Sequence, residues 1–234
     1  MKLFYDLHIH SSLSPCADDD MTPANICGMA HLKGLDLIAV TDHNAADNLP
    51  FIKQVADSYD LLLLPGIEVT TKEEVHLLGY FPRVEDAVKA GRFFKSRLPK
   101  MKNRPAYFGN QHIINAEDER VAVEEALLVG ATDLSLSACA AEIEKRGGIC
   151  IPAHINRGVN GILTNLGFIP DNLKFNTLEV SKGLKIDNAT ITGKGILHSS
   201  DAHCLGNISE RENVIMLEKK CVESAFSALQ SGHF

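Results

Sequence analysis

Six short clusters of histidine and acid punctuate this chain, and four or five of them fall just past the end of an apolar run. They are Asp6-Leu-His8-Ile-His10, Val40-Thr41-Asp42-His43, Pro65-Gly66-Ile67-Glu68-Val69, Glu74-Val75-His76, Ile151-Pro152-Ala153-His154-Ile155-Asn156-Arg157 and His198-Ser199-Ser200-Asp201-Ala202-His203. Seven of the ten histidines lie in these clusters; His31, His112 and His233 do not. In folds that alternate strand and helix, the loops at the C-terminal strand ends converge on one site. Chance would scatter such residues over both ends. The pattern asks for a fold that gathers strand ends.

Each cluster alone says less. Residues i and i+2 of an extended segment share a side, so His8 and His10 can reach one ion together, although such a pair is more often packing or surface. Asp42 and His43 read equally as a polar turn. Glu68, set between Ile67 and Val69, is odd, because buried carboxylates are rare unless paired or bound to metal. His76 alone reads as a satisfied core residue. As a set, imidazole and carboxylate donors suit a catalytic metal site with open positions better than a closed structural zinc site. Paired metals bridged by a carboxylate suit hydrolysis of phosphate esters, since they acidify a bound water and hold the attacking and leaving oxygens.

Between the clusters, short apolar strands alternate with helical stretches. Residues 4–7, 37–40, 61–64, 75–80, 149–151, 177–180, 195–198 and 213–217 read as strands. Residues 22–33, 50–58, 84–96, 117–129, 137–145 and 221–229 read as helices, the first with Thr22 as cap, Pro23 in the first turn and Gly34 as stop. This alternation argues for a parallel sheet, open or closed into a barrel. Between His76 and His154 it loosens, and residues 82–147 are expected to form an insertion or lid, mainly helical, within one domain spanning 1–234.

With 234 residues, 45% apolar and 23% charged, the chain suits one domain with a sizeable core. The net charge is −7 and no Lys/Arg-rich run is present. Duplex nucleic acid is therefore not expected as a partner, because that binding rests on basic residues neutralising phosphates. An anionic substrate would draw positive charge from a few side chains or from bound metal. Cys16, Cys27, Cys139, Cys150, Cys204 and Cys221 form no CxxC pair, and no apolar stretch reaches signal-peptide or membrane-spanning length. Reduced thiols, a cytoplasmic location and no membrane partner are expected. Nothing in the sequence sets an oligomeric state.

Taken in order, DLHIHS, AVTDH, GIEVT, VHLLGY, IPAHINR and HSSDAH resemble the motifs of the polymerase-and-histidinol-phosphatase (PHP) family of metal-dependent phosphoesterases, over nearly the whole chain apart from its middle. That family includes histidinol phosphatases, domains of bacterial polymerases, and small nucleotide phosphatases or exonucleases. The resemblance implies a distorted (β/α)7 barrel holding two or three divalent ions of manganese, zinc or iron. Carried over motif by motif, His8, His10, Glu68 and Asp201 hold one metal. Glu68, His76 and His154 hold a second, with Glu68 as bridge. His43 and His203 hold a third with one further ligand. Glu68, Asp201 and His203 are the implied catalytic residues.

The further ligand is where this chain departs from the pattern. Relatives with S-D-G after the HxH usually supply an Asp there. Here the text is Ser14-Pro15-Cys16-Ala17-Asp18-Asp19-Asp20-Met21-Thr22-Pro23. Counting back from Pro23 favours Asp18, with Cys16, Asp19 and Asp20 as alternatives; a triple-Asp run is ordinarily a solvated loop. Arg157, on the loop after His154, is expected to meet a substrate phosphate with its planar fork. Lys182, beyond the 177–180 strand, is the second candidate, and either reads equally as a solvated cation.

The expected activity is hydrolysis of a phosphate ester in a small phosphorylated metabolite, a nucleotide in preference to histidinol phosphate. The alternative is trimming of short oligonucleotide ends. Acidic charge and the lack of basic–aromatic clusters count against a long groove. A non-catalytic, metal-stabilised partner-binding module is a third reading, disfavoured by the intact ligand set.

Overall fold

The computed structural model describes all 234 residues. Its strands are β1 (Lys2–Ile9), β2 (Leu37–Val40), β3 (Leu62–Leu63), β4 (Gly66–Thr70), β5 (His76–Tyr80), β6 (His112–Ile114), β7 (Arg120–Val123), β8 (Ile149–Pro152), β9 (Thr177–Glu179), β10 (Gly195–Leu197) and β11 (Val214–Met216). Its helices are α1 (Pro23–Leu32), α2 (Leu49–Ser58), α3 (Val84–Ser96), α4 (Pro105–Phe108), α5 (Leu136–Lys145), α6 (Ile162–Asn165), α7 (Asn188–Ile191) and α8 (Val222–Ser231).

Successive side chains of a strand point to opposite faces, and here the two faces feed two separate cores. Leu37, Leu78, Tyr80, Ile151 and Leu197 join one cluster. Ile38, Val40, Ile67, Val69, Leu77 and Leu178 join the other, with Ile26, Ile52, Phe94 and Ile143 of α1, α2, α3 and α5. Glu68, His76 and Glu179 alternate with members of this helix-covered cluster, so they share the opposite face. In β1 the register against β2 shifts between Asp6 and Ile9. Leu7 belongs to the first cluster and Ile9 to the second, although they are two apart. A bulge of this kind re-aims the residues beyond it, and here it sets His8 and His10 beside the other polar strand ends.

The fold class is α/β, as expected, but the strands form four separate sheets and no continuous (β/α)7 barrel. The orders are β11-β1-β2-β3, β10-β9, β4-β5-β8 and β6-β7. The β1-β2-β3 and β9-β10 pairings are parallel, whereas β4-β5-β8 and β1-β11 are antiparallel. Two gaps are crossed by single-residue bridges, Ile9 to Ala202 and His43 to Glu68. A third is crossed where the Ile155 amide donates to the Glu179 carbonyl at 2.9 Å. Several of these junctions lie at the polar clusters.

The middle of the chain differs most from expectation. α3 packs on α2 and β4, and α5 packs on β8 and β5, so both behave as scaffold helices. Between them, the helix expected over 117–129 is instead the second arm of a β6–β7 hairpin. The Asn115 side chain accepts from the amides of Glu117 and Glu119, and Asp118 adopts φ 60°, which turns the chain before a helix can start. Arg120-Val-Ala-Val123, with two β-branched residues, then pairs with β6. No helix is long and apolar enough to cross a membrane.

Candidate metal centre

His8 and His10 are fully buried at the end of β1, their Nε2 atoms 3.2 Å apart. Both meet Asp201 Oδ1, at 3.2 and 3.1 Å. Glu68 of β4, also fully buried, stands at the middle. Its carboxylate lies 2.8 Å from His76 Nδ1, 3.0 Å from His43 Nδ1, 3.2 Å from His154 Nε2 and 3.3 Å from His8 Nε2. His203 stacks on His10 with ring centroids 4.2 Å apart. The metal candidates other than Asp18 thus converge. Donor atoms close enough to share an ion occur as His8/His10/Asp201, His43/Glu68/His76 and His10/His43/His203.

These residues fit divalent cations better than they fit one another. His43 Nδ1, His76 Nδ1, His154 Nδ1 and Glu68 Oε2 are buried without a well-formed hydrogen bond, a costly state for polar atoms unless something binds them. Burial opposes charge on Glu68, yet the histidines around it, His76 foremost and then His8 and His43, hold its carboxyl well below the usual range, although burial lowers His76 itself below an ordinary imidazole. Burial likewise opposes charge on His8, but Glu179, Asp201 and Glu68 raise it well above an ordinary imidazole. His10, buried and facing His43, falls well below. The carboxylates demand positive charge at their centre, which divalent ions held by these donors would supply. Two of the candidates have left-handed backbone, His154 at φ 29° and Asp201 at φ 53°. Such strain costs on the order of 1–3 kcal/mol per residue and gathers where function needs a particular placement.

Several residues not counted among the donors hold them in place. Glu179 is 2% exposed; it lies 3.0 Å from His8 Nδ1 and accepts from the His154 amide at 2.8 Å. It therefore aims His8 Nε2 inward and fixes the turn that carries His154. Asp42 accepts from the Ser11 amide and from the hydroxyls of Ser11 and Ser14, and Ser14 Oγ lies 3.0 Å from His10 Nδ1. Asp6 accepts from the amides of Ser200 and Ser209, pinning the loop that bears Asp201 and His203. Glu179 sits between Leu178 and Val180 as Glu68 sits between Ile67 and Val69, and that signal was open to reading.

Asp18, favoured by the count from Pro23, is not where the count put it. Its side chain is exposed and joins none of the donor groups; only its amide reaches inward, to the His203 carbonyl at 2.8 Å. Cys16 is exposed as well and joins none of those donor groups. The neighbouring imidazoles of His203 and His43 nevertheless outweigh desolvation and bring its thiol down to about 7. Asp18 accepts a backbone bond from the Met21 amide at 3.0 Å in the following turn, and spacing alone could not foresee how that turn faces.

A polar cavity of about 570 Å³ opens beside Asp201 and His154, walled by Arg157, Glu179, Lys182 and Ser200 among others. Arg157 pairs with Asp201 through Nη1 and Oδ2 while remaining on the cavity wall. Lys182 pairs with Glu212 at 2.7 Å, both about half exposed, which is the behaviour of a solvated loop cation. The middle segment packs against the loop that carries Cys16. The His112 amide donates to the Ser12 carbonyl at 2.7 Å, and the Asn110 side chain donates to Asp19 at 2.8 Å.

The fold is one that solved structures of an endonuclease and of a protein described as a phosphoesterase share, and the converging donors could hold metal ions. The chain superimposes on endonuclease Q of Pyrococcus furiosus, a lesion-specific endonuclease, with TM-score 0.74 and 19% identity, covering 98% of this chain and 56% of that one. It superimposes on a protein of Bifidobacterium adolescentis, described provisionally as a metal-dependent phosphoesterase, with TM-score 0.61 and 16% identity, covering 98% of this chain and 96% of that one. In sequence it is similar to an uncharacterised protein of Methanocaldococcus jannaschii, 40% identical over 79 residues, 34% of this chain and 10% of that one. It is similar also to a 5'-3' exoribonuclease of Haemophilus influenzae, 28% identical over 78 residues, 32% of this chain and 27% of that one. The chain thus spans little more than half of endonuclease Q and smaller parts of both sequence relatives. No family model matches it.

One expectation is overturned here. Endonuclease Q has also been captured with a 27-mer duplex whose abasic lesion lies at the active site, on a chain that superimposes with TM-score 0.67. The fold is compatible with duplex nucleic acid, and net charge does not exclude such a partner. A charge of −7 sums the whole surface, whereas docking depends on local arrangement.

Proposed function

We propose that this protein is a metal-dependent hydrolase of phosphate esters in nucleotides or nucleic-acid ends. The observation that carries the reading is the convergence of buried imidazoles and two carboxylates, several of their ring nitrogens lacking a well-formed hydrogen bond, at the mouth of a polar cavity. His8, His10, Glu68 and Asp201 would hold one metal, and Glu68, His76 and His154 a second. His43, His203 and Cys16 would hold a third, with manganese, zinc or iron all compatible with most of these donors. When bound, such ions supply acidified water and neutralise charge on the phosphoryl oxygens.

The chain's own residues do the rest. Glu68 keeps its negative charge between neighbouring cations. Asp201 presents Oδ1 to the histidines and Oδ2 to Arg157, so it links the centre to the cavity. Arg157 meets the phosphate and orients it. The attacking water forms a bond to phosphorus as the ester P–O bond breaks, and the leaving oxygen takes up a proton. The hairpin and turn between α3 and α5 form a cap over the Cys16 side, shaping entry.

The deciding experiment is phosphate release from a panel of nucleotides, bisphosphates, sugar phosphates and short oligonucleotides, with each metal in turn. Arg157→Lys should lower kcat/KM about tenfold or more, roughly 1.4 kcal/mol, with metal content unchanged. Full activity in that variant would remove Arg157 from phosphate recognition. No metal-dependent release from any substrate would defeat the hydrolase reading.

A further inference from the structure

The cap carries an exposed surface that neither its packing nor the metal centre uses. In residues 100–108, Met101 is 54% exposed, Tyr107 81% and Phe108 41%. Lys100, Lys102 and Arg104 are exposed among them. Arg97 and Lys102 pair with Asp133 and Glu125, and no such pair engages Lys100 or Arg104. Other large side chains are exposed singly, such as Leu32 at 78% and Phe168 at 62%, but here three fall within eight residues and beside unpaired cations, and grouped exposure of this kind marks a binding surface.

The strip also stands close to the centre. A Cβ placed on Gly109 would lie 1.9 Å from the Pro15 carbonyl oxygen, so the two backbones touch. Pro15 opens the turn in which the Asp18 amide donates to the His203 carbonyl at 2.8 Å. Of the nearby acids, Asp19 is engaged by Asn110 and lies 3.7 Å from His112. Asp18 and Asp20 remain exposed and oppose phosphate, which confines an anionic partner to the Lys100–Arg104 side.

We propose that residues 100–108 are a docking strip for a nucleic-acid strand with unpaired bases. Tyr107 stacks on a base, while Lys100 and Arg104 take the backbone phosphates. Cations over Lys100–Arg104 followed by the rings of Tyr107 and Phe108 form a short basic–aromatic cluster, against the expectation of none, and offer a strand both charge neutralisation and a π-face. The proposal deepens the phosphoester reading by naming a polynucleotide over a free nucleotide, and it rests on that reading only for what happens after docking.

The chain contains no tryptophan, so Tyr107→Trp places a single reporter on the strip. With EDTA present, this variant is titrated with a single-stranded DNA of about twelve nucleotides, with a blunt duplex of the same sequence, and with a mononucleotide. Stacking should quench the tryptophan with the single strand, weakly with the duplex and not with the mononucleotide. Adding Lys100→Glu and Arg104→Glu should weaken the titration about tenfold or more, and raised salt should do likewise. No quenching, or quenching indifferent to the charge reversals, overturns the proposal. In turnover assays Tyr107→Ala should raise KM for the oligonucleotide about fivefold or more while leaving kcat unchanged, and should leave mononucleotide hydrolysis untouched. Equal losses on both substrates would also overturn it. Strand-dependent quenching in a protein that hydrolyses nothing would sink the hydrolase reading and leave the docking strip standing.

Discussion

Glu68 is the residue on which the centre turns, since five histidines reach it from four different segments. Glu68→Gln preserves shape and removes the charge that balances neighbouring cations, so metal stoichiometry and turnover should fall together; a variant retaining both would take Glu68 out of any bridging role. Cys16 and Asp18 make the second test at this scale. Cobalt bound to Cys16 should show a thiolate-to-metal absorption band in the near ultraviolet, lost in Cys16→Ser and kept in Asp18→Asn. The reverse pattern would return Asp18 to the site. These two residues also mark the limit of what the sequence disclosed. Glu68 was legible because a carboxylate inside an apolar strand needs an explanation. Glu179 carried the same signature between Leu178 and Val180 but lies in no motif, and Asp6 lies in the first motif but was not read as a support for the donors. Cys16 was not decidable from spacing, because an irregular loop has no period and the turn over residues 14–21 decides which side chain faces inward.

Among the elements, the strands that end in ligands were readable as apolar runs, and their polar ends marked the face of the site. The bulge in β1 was not, since nothing in Asp6-Leu7-His8-Ile9 announces that Leu7 and Ile9 enter different cores. The antiparallel β4–β5 pair was hidden for a related reason: Glu68 read as the end of the preceding strand, whereas Gly66–Thr70 is a strand of its own. The β6–β7 hairpin was misread as a helix because acid-rich 117–129 has good helical composition, and the Asn115 turn overrides it. Gly109 joins that cap to the loop carrying Cys16. Its φ of 95° and the 1.9 Å approach of a Cβ to the Pro15 oxygen leave no room for a side chain. Gly109→Ala should cost roughly 1–3 kcal/mol and weaken binding at the 100–108 strip. The check is a thermal melt alongside the strand titration. An unchanged melt would mean that the cap is not tied down at this point.

At the scale of the molecule, the metal centre lies where separate sheets meet, so metal binding and folding stability should be linked. The bridges between Ile9 and Ala202 and between His43 and Glu68 cross gaps in the strand ladder right beside the donors. A metal site filled at about 100 times its Kd adds about 2.7 kcal/mol, or roughly 5–11 °C in Tm for a chain of this size. The effect should depend on pH, with a definite sign. Burial opposes charge on His8 and His43, but the carboxylates around His8 and, for His43, Glu68 and Cys16 raise both above the ordinary imidazole value. Without metal, a group raised in the folded state contributes stability below its unfolded value, about 6.5, and loses it as pH climbs through the folded value. Metal needs the neutral rings, so it binds best in the range where that contribution has gone. The gap in Tm between manganese-loaded and EDTA-treated protein should therefore widen from about pH 6 to about pH 8, and proton release should accompany binding, measurable by calorimetry in buffers of different ionisation enthalpy. A gap equal at both pH values, with no proton released, would mean that these histidines do not ligate metal.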